Sequence, residues 1–358
     1  MFFKNFRNKK VIITGHTGFK GSWLSFWLYT HGAKVIGISN SIPKTSNFIG
    51  LNLKKKINNN FIDIRNLNKL KKLISNSKPD YIFHLAAQSL VKKSYKDPIE
   101  TFSTNSIGTL NILESIRNLK KKCTVILITS DKSYKNLELN RGYKENDLLG
   151  GADPYSASKA SAELIIQSYF NSYLKKNKYL RVGIARAGNV IGGGDWSEDR
   201  LIPDCVRSWS KNKKVILRNP NSTRPWQHVL EALGGYLLFA NKLNSNNQLN
   251  GEVFNFGPKY QKNLKVIAVI KIMKKFWKKI DWQIKKKNKK NNHYESKLLQ
   301  LNCKKAKIKL NWNSILNVKE TIGMTINWYK NFYNNPKKVK SFTLQQIKFY
   351  EKLMLKKL

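Results

Sequence analysis

The chain has 358 residues, 41% of them hydrophobic, which is enough for one large domain or two smaller ones with a buried core. Its 67 lysines and arginines outnumber its 21 acidic residues and give a formal net charge of +46. Such a charge suits nucleic-acid or membrane-surface binding, but only ten of these residues are arginines, which read bases through paired hydrogen bonds. The basic residues are also spread over the whole length, beside abundant asparagine and isoleucine, as in proteins from AT-rich genomes. We therefore expect neither a nucleic-acid nor a membrane partner.

The cysteines and the amino terminus indicate the cellular compartment. Cys123, Cys205 and Cys303 share no metal-ligand spacing and form no even framework, which favours reduced thiols. A predicted strand begins next to Lys10, with no signal-peptide pattern before it, and no apolar segment is long enough to cross a bilayer. We expect a cytoplasmic protein without a metal site.

The first half of the chain alternates short β-branched segments with helical stretches, which is typical of a parallel sheet covered on both faces. Strands are predicted at 11–14, 34–38, 61–64, 81–85, 125–129 and 182–186. Helices are predicted between them at 21–30, 67–75, 99–119 and 155–174. Residues 1–187 are therefore predicted to form a doubly wound α/β domain of the Rossmann type that binds a dinucleotide and carries the catalytic residues.

The second half begins with loops rich in glycine, proline and tryptophan after about residue 189. Helical patterns return at 230–243, 264–277 and 318–332, with a polar loop at 285–292. An amphipathic helix at 343–358 is predicted to pack on the body of the protein. Residues 188–358 are predicted to form a smaller mixed α/β domain that binds mainly the substrate, with some segments returning to the first domain.

A glycine-rich loop follows the first predicted strand and opens the first helix. Gly15, Gly18 and Gly21 have the spacing Gly-x-x-Gly-x-x-Gly, which permits a tight turn and a close approach of backbone to a pyrophosphate at the positive helix end. The loop also contains Thr17, Phe19 and Lys20. Its place between strand and helix predicts a dinucleotide-binding loop.

The residues expected to surround the adenosine give a weaker indication of the cofactor than the glycine loop does. The second strand ends in the segment 38–41, Ile-Ser-Asn-Ser, without the carboxylate that usually selects NAD over NADP. Asp63 either hydrogen-bonds an adenine amino group or caps the following helix. The small residues of Leu85-Ala86-Ala87 either let the backbone pass close to a cofactor or serve ordinary packing.

Two further segments carry the candidate chemistry. Tyr155 and Lys159 lie four residues apart and share one helix face, where the lysine is expected to lower the pKa of the phenol towards neutrality. The phenolate would then be a base for an alcohol. Ser130, Asp131 and Lys132 follow the strand 125–129 and place a hydroxyl, a carboxylate and an ammonium at its end.

Taken together, these motifs resemble the extended short-chain dehydrogenase/reductase superfamily that modifies nucleotide sugars, and within it the CDP-glucose 4,6-dehydratases. The sister dTDP-glucose dehydratases carry Asp-Glu where this chain has Asp131-Lys132. The resemblance covers nearly the full chain and is carried by Gly15 to Trp23, His84-Leu85-Ala86-Ala87-Gln88, Asn105, Thr129 to Lys132, Tyr155 with Lys159, and Arg224-Pro225-Trp226-Gln227-His228-Val229.

The resemblance implies an NAD-dependent lyase that converts CDP-glucose to CDP-4-dehydro-6-deoxyglucose, an early step towards the deoxy sugars of surface polysaccharides. Tyr155 takes the proton of the 4-hydroxyl while hydride passes to NAD, Lys159 supports the phenolate, and Ser130 holds the 4-oxygen. Asp131 protonates the departing 6-hydroxyl. Further cofactor contacts are implied for Asp63, Ile64, Leu85, Ala86, Ala87, Asn105 and Thr129.

The role of Lys132 stays open among three alternatives. It is the base that removes the C5 proton if it can lose its own proton, as a lysine desolvated among other cations can. Otherwise it supports the enolate electrostatically while another group acts as base, or it only forms a salt bridge to Asp131.

The substrate contacts are predicted from the arginines, whose forked side chains match phosphate oxygens. His228 either lines this pocket or is a satisfied buried histidine, and Trp226 either stacks on the cytosine or fills the core. The predicted substrate contacts are Gln88, Ser89, Asn189, Arg200, Arg218, Arg224 and His228. The resemblance also implies a homodimer, possibly a tetramer, through the helices predicted at 99–119 and 155–174.

Three rival functions remain. A nucleotide-sugar 4-epimerase returns hydride to C4 and needs no acid at the position of Asp131, so the Ser130-Asp131-Lys132 segment favours elimination. A dehydratase of another nucleotide sugar would share every motif. A basic nucleic-acid-binding or NAD-sensing protein would use the charge but not the catalytic residues.

Overall fold

A seven-stranded parallel sheet lies at the centre of the protein. The computed structural model describes residues 2–217, 219–259, 264–277, 280–284 and 299–357. Its strands are β1 Lys10–Thr14, β2 Lys34–Ser39, β3 Asn58–Phe61, β4 Tyr81–His84, β5 Cys123–Ile128, β6 Leu180–Ala187, β7 Val190–Ile191, β8 Val215–Leu217, β9 Thr223–Arg224, β10 Gln227–His228, β11 Val253–Phe256, β12 Leu264–Lys265 and β13 Trp282–Ile284. The central sheet has the order β11-β6-β5-β4-β1-β2-β3, and the remaining strands pair two by two.

Helices cover both faces of this sheet. They are α1 Phe19–Thr30, α2 Asn47–Gly50, α3 Leu67–Ser77, α4 Val91–Lys96, α5 Pro98–Phe102, α6 Gly108–Ile116, α7 Pro154–Tyr169, α8 Leu201–Trp209, α9 Val229–Ser245, α10 Val266–Phe276, α11 Lys304–Leu310, α12 Val318–Asn334 and α13 Val339–Leu355. One π-helical turn, Ser103–Ile107, joins α5 to α6, and another, Phe170–Leu174, extends α7.

The apolar residues of the strands divide between two cores. In β5, Val125 and Leu127 pack with α3, α6 and α7, whereas Ile126 and Ile128 face the larger core that contains α1 and α9. Successive side chains of a strand point to opposite faces, so a strand buried on both sides is apolar throughout. The predicted doubly wound α/β fold is confirmed.

The differences from the prediction have local causes. The third strand is Asn58–Phe61, an edge strand paired only with β2, instead of the more apolar segment 61–64. The helix predicted at 99–119 is divided by the π turn, and the one predicted at 264–277 starts at Val266 because Leu264–Lys265 pairs with β9. The predicted loop at 285–292 lies outside the described residues.

One strand of the central sheet was not predicted. The segment β11 pairs in parallel with β6 and so returns from the second half of the chain to the first. The division at residue 187 stays a prediction, although the core that contains α1 also holds side chains of α9, α12 and α13.

Candidate active site

A large cavity opens at the carboxyl ends of the parallel strands, where ligands bind in folds of this kind. Its volume is about 1940 Å³. The loops that follow β1, β2, β4, β5 and β6 all contribute to its lining. The arrangement therefore brings the glycine loop, the segment after β5 and the start of α7 to one site, as the sequence predicts.

The glycine loop forms a tight cradle on one side of this cavity. Gly15 has a φ of +73°, and a Cβ added there would lie 2.9 Å from backbone atoms of Ala86. A Cβ on Gly21 would lie 2.0 Å from the carbonyl oxygen of Gly15. Gly18 is the N-cap of α1 and offers no side-chain cap, so the first N–H groups of the helix remain available to an anion. These features fit the pyrophosphate of a dinucleotide.

The adenosine side of the cavity is held by polar contacts. The Thr17 N–H donates to Ser39 Oγ at 3.3 Å and its hydroxyl to the Ser41 carbonyl at 2.8 Å, which ties the glycine loop to the end of β2. Asp63 accepts two hydrogen bonds from the Arg65 guanidinium, which lowers the pKa of its carboxyl. It still lines the cavity together with Ile64. Helix α3 is capped by Asn66, so the alternative that Asp63 caps it is wrong.

Two predicted contact residues lie behind the cavity wall. Asn105 is 1% exposed, and its amide group donates to the Gln88 carbonyl and to Ser158 Oγ at 3.0 and 2.9 Å. Gln88 donates in turn to Thr101 Oγ1 at 2.9 Å. Neither residue is part of the cavity lining, and their predicted contacts to cofactor and substrate stay predictions. Both residues instead fix the loop after β4 to the catalytic helix. Its neighbours Leu85, Ala86, Ala87 and Ser89 do line the cavity.

The catalytic segments are positioned by helix caps. Asp153 accepts a hydrogen bond from the Ser156 N–H at 3.0 Å, and Pro154 occupies the first turn, so α7 starts with Tyr155 at the cavity. Ser130 Oγ accepts from the Lys132 N–H at 3.2 Å and donates to Asp131 Oδ1 at 3.0 Å. Ser130 also lowers the pKa of the Tyr155 phenol, and both residues line the cavity, so the two segments meet there.

The electrostatics of the phenol differ from the prediction. Burial raises the pKa of Tyr155 to about 12, although the Ser130 hydrogen bond and the charge of Arg200 oppose the shift. The expected fall towards neutrality is therefore wrong for the protein alone. Burial also lowers the pKa of Lys159 to about 8, opposed by Glu163. The charge of Arg200 acts on the phenol, and the support of the phenolate by Lys159 stays a prediction.

Asp131 has the properties of a proton donor. Its side chain is 4% exposed, and burial raises the pKa of its carboxyl, which favours the protonated form. The charge of Lys132 and the Ser130 hydroxyl oppose this shift. The pair Asp131 and Lys132 therefore holds an acid next to a cation that stabilises its conjugate base.

A buried ion pair beneath the catalytic helix was missed. Glu163 accepts from Thr129 Oγ1 at 2.7 Å and from Arg186 NH2 at 2.5 Å, and both charged side chains are at most 1% exposed. Arg186 is the last residue but one of β6, and Glu163 lies four residues after Lys159 on the same helix. The four-residue spacing of Lys159 and Glu163 was the sequence signal that could have identified Glu163 as part of the site. Thr129 lines the cavity as predicted, and its hydroxyl is committed to Glu163.

The predicted substrate residues separate into three groups. Asn189, Arg200 and Arg224 line the cavity, and Arg200 pairs with Asp195 at 2.9 Å and donates to Ser89 Oγ at 3.2 Å. Asp195 was not predicted. Trp226 lines the cavity and also packs in the main core, and its stacking on the cytosine stays a prediction. Arg218 lies outside the described residues.

The hypothesis that His228 lines the pocket is wrong. His228 is 0% exposed and does not line the cavity. Its Nδ1 accepts a hydrogen bond from the Leu230 N–H at 3.3 Å, which makes it the N-cap of α9. Burial lowers its pKa to about 3, so it is a neutral structural residue.

The part of the chain described in the structure contains no helix that is long and apolar enough to cross a membrane. Within the same residues, no group of three or more histidine, cysteine or acidic side chains could hold a metal ion. Its three cysteines are free thiols.

Comparison with known proteins agrees with the geometry. The family model for GDP-mannose 4,6 dehydratase matches residues 12–325. The chain is 43% identical to the CDP-glucose 4,6-dehydratase of Salmonella typhimurium over 337 residues, 92% of this chain and 93% of that protein. It is 28% identical to the UDP-glucose 4-epimerase of Mycoplasma genitalium, over 91% of this chain and 98% of that protein. Among solved structures, dTDP-glucose 4,6-dehydratase from Bacillus anthracis in complex with NAD has a TM-score of 0.74 at 23% identity, over 93% of this chain and 99% of that one.

Proposed function

The chain belongs to the GDP-mannose 4,6-dehydratase family of the extended short-chain dehydrogenases/reductases, and we propose that within it the protein dehydrates CDP-glucose to CDP-4-dehydro-6-deoxyglucose. The high identity to the Salmonella typhimurium CDP-glucose 4,6-dehydratase supports the choice of nucleotide and sugar. This protein is therefore an NAD-dependent hydro-lyase.

The residues present fit NAD as the cofactor. The glycine cradle and the first turn of α1 would hold the pyrophosphate, and Ser39 and Asn40 line the part of the cavity expected for the adenosine ribose. Lys159 lies one helical turn after Tyr155 and would hold the nicotinamide ribose. Bound NAD would supply the acceptor for the hydride of C4 and the donor of that hydride to C6.

Tyr155 and Ser130 would act on the 4-hydroxyl of the sugar. The Tyr155 phenolate removes the hydroxyl proton, and Ser130 hydrogen-bonds the same oxygen as it becomes a carbonyl. Because burial keeps the phenol protonated, the phenolate needs stabilisation, and Ser130 and Arg200 are the neighbours that supply it. The resulting 4-ketone makes the proton on C5 acidic.

The burial of the Asp131 carboxyl beside the catalytic tyrosine segment is the observation that carries the proposal. A buried carboxyl with a raised pKa can donate a proton to the 6-hydroxyl and so release water. Asp131 accepts a hydrogen bond from Ser130 and lines the same cavity as Tyr155, the residue that acts at C4, so one site serves both ends of the reaction. An epimerase, which only returns hydride to C4, has no use for this acid.

Incubation with NAD and the CDP-, dTDP-, GDP- and UDP-forms of glucose tests the proposal. We expect loss of water, measured by mass spectrometry, with CDP-glucose as the preferred substrate. Asp131→Asn should still reduce NAD but eliminate water about 100-fold to 10,000-fold more slowly, because it lacks the acid. Normal dehydration by this variant would refute the role of Asp131, and a C4 epimer formed without loss of water would show an epimerase.

An exposed apolar surface on α5, the π turn and α7 supports a homodimer. Ile99 is 81% exposed, Ile107 48% and Leu164 56%. Large apolar side chains exposed on neighbouring elements are typical of interaction sites. We propose that it is the dimer interface, which light scattering of the purified protein would test. The free cysteines support a reducing compartment such as the cytoplasm.

A further inference from the structure

The loop between β7 and α8 carries the ion pair of Asp195 and Arg200 in the substrate wall of the cavity. Arg200 is held on two sides, by Asp195 Oδ2 at 2.9 Å and by Ser89 Oγ, to which it donates at 3.2 Å. Asp195 Oδ1 also accepts a hydrogen bond from the Ser197 N–H at 3.0 Å, which fixes the turn that leads to Arg200. The position of Arg200 therefore depends on the position of Asp195.

Helix α12 fixes the backbone of this loop, although none of the residues 318–334 lines the cavity. The Tyr329 hydroxyl donates to the Asp195 carbonyl at 2.5 Å, and both residues are buried. A Cβ on Gly193 would lie 2.0 Å from the Trp328 ring, so the loop runs directly against the helix. The Gly193 carbonyl accepts from Trp23 Nε1 at 2.8 Å. The loop is thus bound to both α12 and α1.

Aromatic packing holds the next residue of the loop, Trp196, against the same helix. Its ring lies edge-on to Tyr329, with 5.3 Å between the ring centres, and its centre is 4.9 Å from that of Phe332. Such arrangements are favourable for aromatic pairs. The packing fixes the loop as a whole, and the hydrogen bond of Tyr329 is the polar contact from α12 to the backbone of Asp195.

We propose that Tyr329 is a positioning residue of the dehydration proposed above, on which this role rests, and that it acts through Asp195 on Arg200. The route runs from the Tyr329 hydroxyl to the Asp195 backbone, and from the Asp195 carboxylate to the Arg200 guanidinium. Arg200 lines the cavity, and its charge favours the phenolate of Tyr155. A residue that touches neither substrate nor cofactor thus sets the place of a cation that acts on the catalytic phenol.

Removal of the Tyr329 hydroxyl should disturb this route without unfolding the protein. Phenylalanine keeps the ring that packs on Trp196 and Trp328, but the buried Asp195 carbonyl loses its donor. A buried carbonyl without a partner is unfavourable, so the loop should shift to find another donor. Hydrogen bonds depend steeply on distance and angle, and a shift of Asp195 therefore weakens its contact with Arg200.

A double-mutant cycle between Tyr329 and Arg200 tests the route. The kcat/KM for CDP-glucose is measured for the wild type, Tyr329→Phe, Arg200→Gln and the double variant. We expect Tyr329→Phe to lower kcat/KM about 10-fold in the wild type but less than about twofold in the Arg200→Gln background, where no guanidinium remains to be positioned. The affinity for NAD should change less than about twofold in Tyr329→Phe, because α12 does not contribute to the cofactor wall.

The pH profile separates positioning from a purely structural role. The positive charge of Arg200 lowers the pKa of the Tyr155 phenol, so displacement of Arg200 should raise that pKa. The phenolate is the active base, and we therefore expect the acidic limb of the kcat profile of Tyr329→Phe to move to higher pH by at least about 0.5 unit.

Tyr350→Phe is the matched control. The Tyr350 hydroxyl is also buried, and it donates to Glu231 Oε2 at 3.0 Å, a contact between α13 and α9 outside the loop. Neither Tyr350 nor Glu231 lines the cavity. This variant should lower the melting temperature, as Tyr329→Phe does, but keep the kcat/KM and the pH profile of the wild type.

Three results would overturn the assignment. They are normal kcat/KM of Tyr329→Phe, an equal loss from this substitution with and without Arg200, and an equal loss in Tyr350→Phe, which would show general destabilisation. Failure of the wild type to dehydrate any of the nucleotide sugars would instead refute the proposed function. The two failures are thus distinguishable.

A second measurement needs neither turnover nor a variant. Hydrogen exchange of the wild-type protein without ligands is followed by peptide mass spectrometry. We expect the segment 195–197 to exchange at least about 100-fold more slowly than an unstructured peptide, because its backbone is held by Tyr329 and by the Asp195 carboxylate. Exchange at the rate of an unstructured peptide would show that α12 does not hold the loop and would overturn the proposal.

Discussion

The two walls of the cavity are built in different ways. The cofactor wall, formed by 15–21, 39–43 and 85–87, depends on close backbone contacts, such as the approach of Gly21 to the Gly15 carbonyl. The substrate wall, formed by 188–204 and 222–226, depends on side-chain pairs such as Arg200 with Asp195. Backbone contacts leave no room for a side chain, whereas a side-chain pair can be exchanged. The cofactor wall should therefore be the less tolerant of substitution.

Of the variants considered, Gly21→Ala in the cofactor wall should have the largest effect on ligand binding. The added Cβ would lie 2.0 Å from a backbone oxygen, which no side-chain movement can relieve. We expect NAD affinity to fall about 100-fold, the equivalent of about 3 kcal/mol, measured by calorimetry together with the melting temperature. Gly18→Ala is the matched control, since its Cβ would meet the same oxygen only at 3.3 Å and should cost less. Equal losses in the two variants would contradict the steric explanation.

Two buried histidines should make the stability of the folded protein depend on pH. Burial lowers the pKa of His84, which ends β4, and of His228, which precedes α9, to about 3 in both cases. The unfolded chain binds these protons below about pH 6.5 and the folded protein does not, so stability should fall as the pH decreases from 6.5 towards 3. Each histidine should cost about 2 kcal/mol at pH 5, measured by urea unfolding at pH 7 and pH 5.

His228→Asn separates the two contributions. Asparagine can still cap α9 but does not titrate. The pH dependence of this variant should fall by about half, with His84 responsible for the remainder. An unchanged pH dependence would show that His228 is protonated in the folded protein.

Arg200→Gln should have the smallest effect, and only on the substrate wall. The variant loses the pair to Asp195 and the contact to Ser89 but keeps a polar side chain. We expect the KM for the sugar nucleotide to rise about 10-fold and kcat to fall, because the Tyr155 phenolate loses a stabilising cation, while NAD affinity changes less than about twofold. Arg207→Gln serves as the control. It breaks an ion pair with Asp204 within α8, and Arg207 does not line the cavity. A comparable loss of NAD affinity would show that the two walls are coupled.

The sequence by itself determined the sheet, the glycine loop and the catalytic segments. Apolar segments buried on both faces, the spacing of Gly15, Gly18 and Gly21, and the four-residue spacing of Tyr155 and Lys159 are all local patterns. Each can be read within one strand, one turn or one helix. The signals failed where the pattern was weak, as in the polar edge strand Asn58–Phe61 and the returning strand Val253–Phe256.

Only the tertiary structure decided which side chains face the cavity and what charge they carry. Gln88, Asn105 and His228 lie behind the wall because their amide and imidazole groups are needed to join distant loops and to cap a helix. The protonation of Tyr155 and Asp131 follows from burial and from charges brought together by several segments of the chain. Desolvation depends on everything packed around a group, so no local sequence pattern contains it.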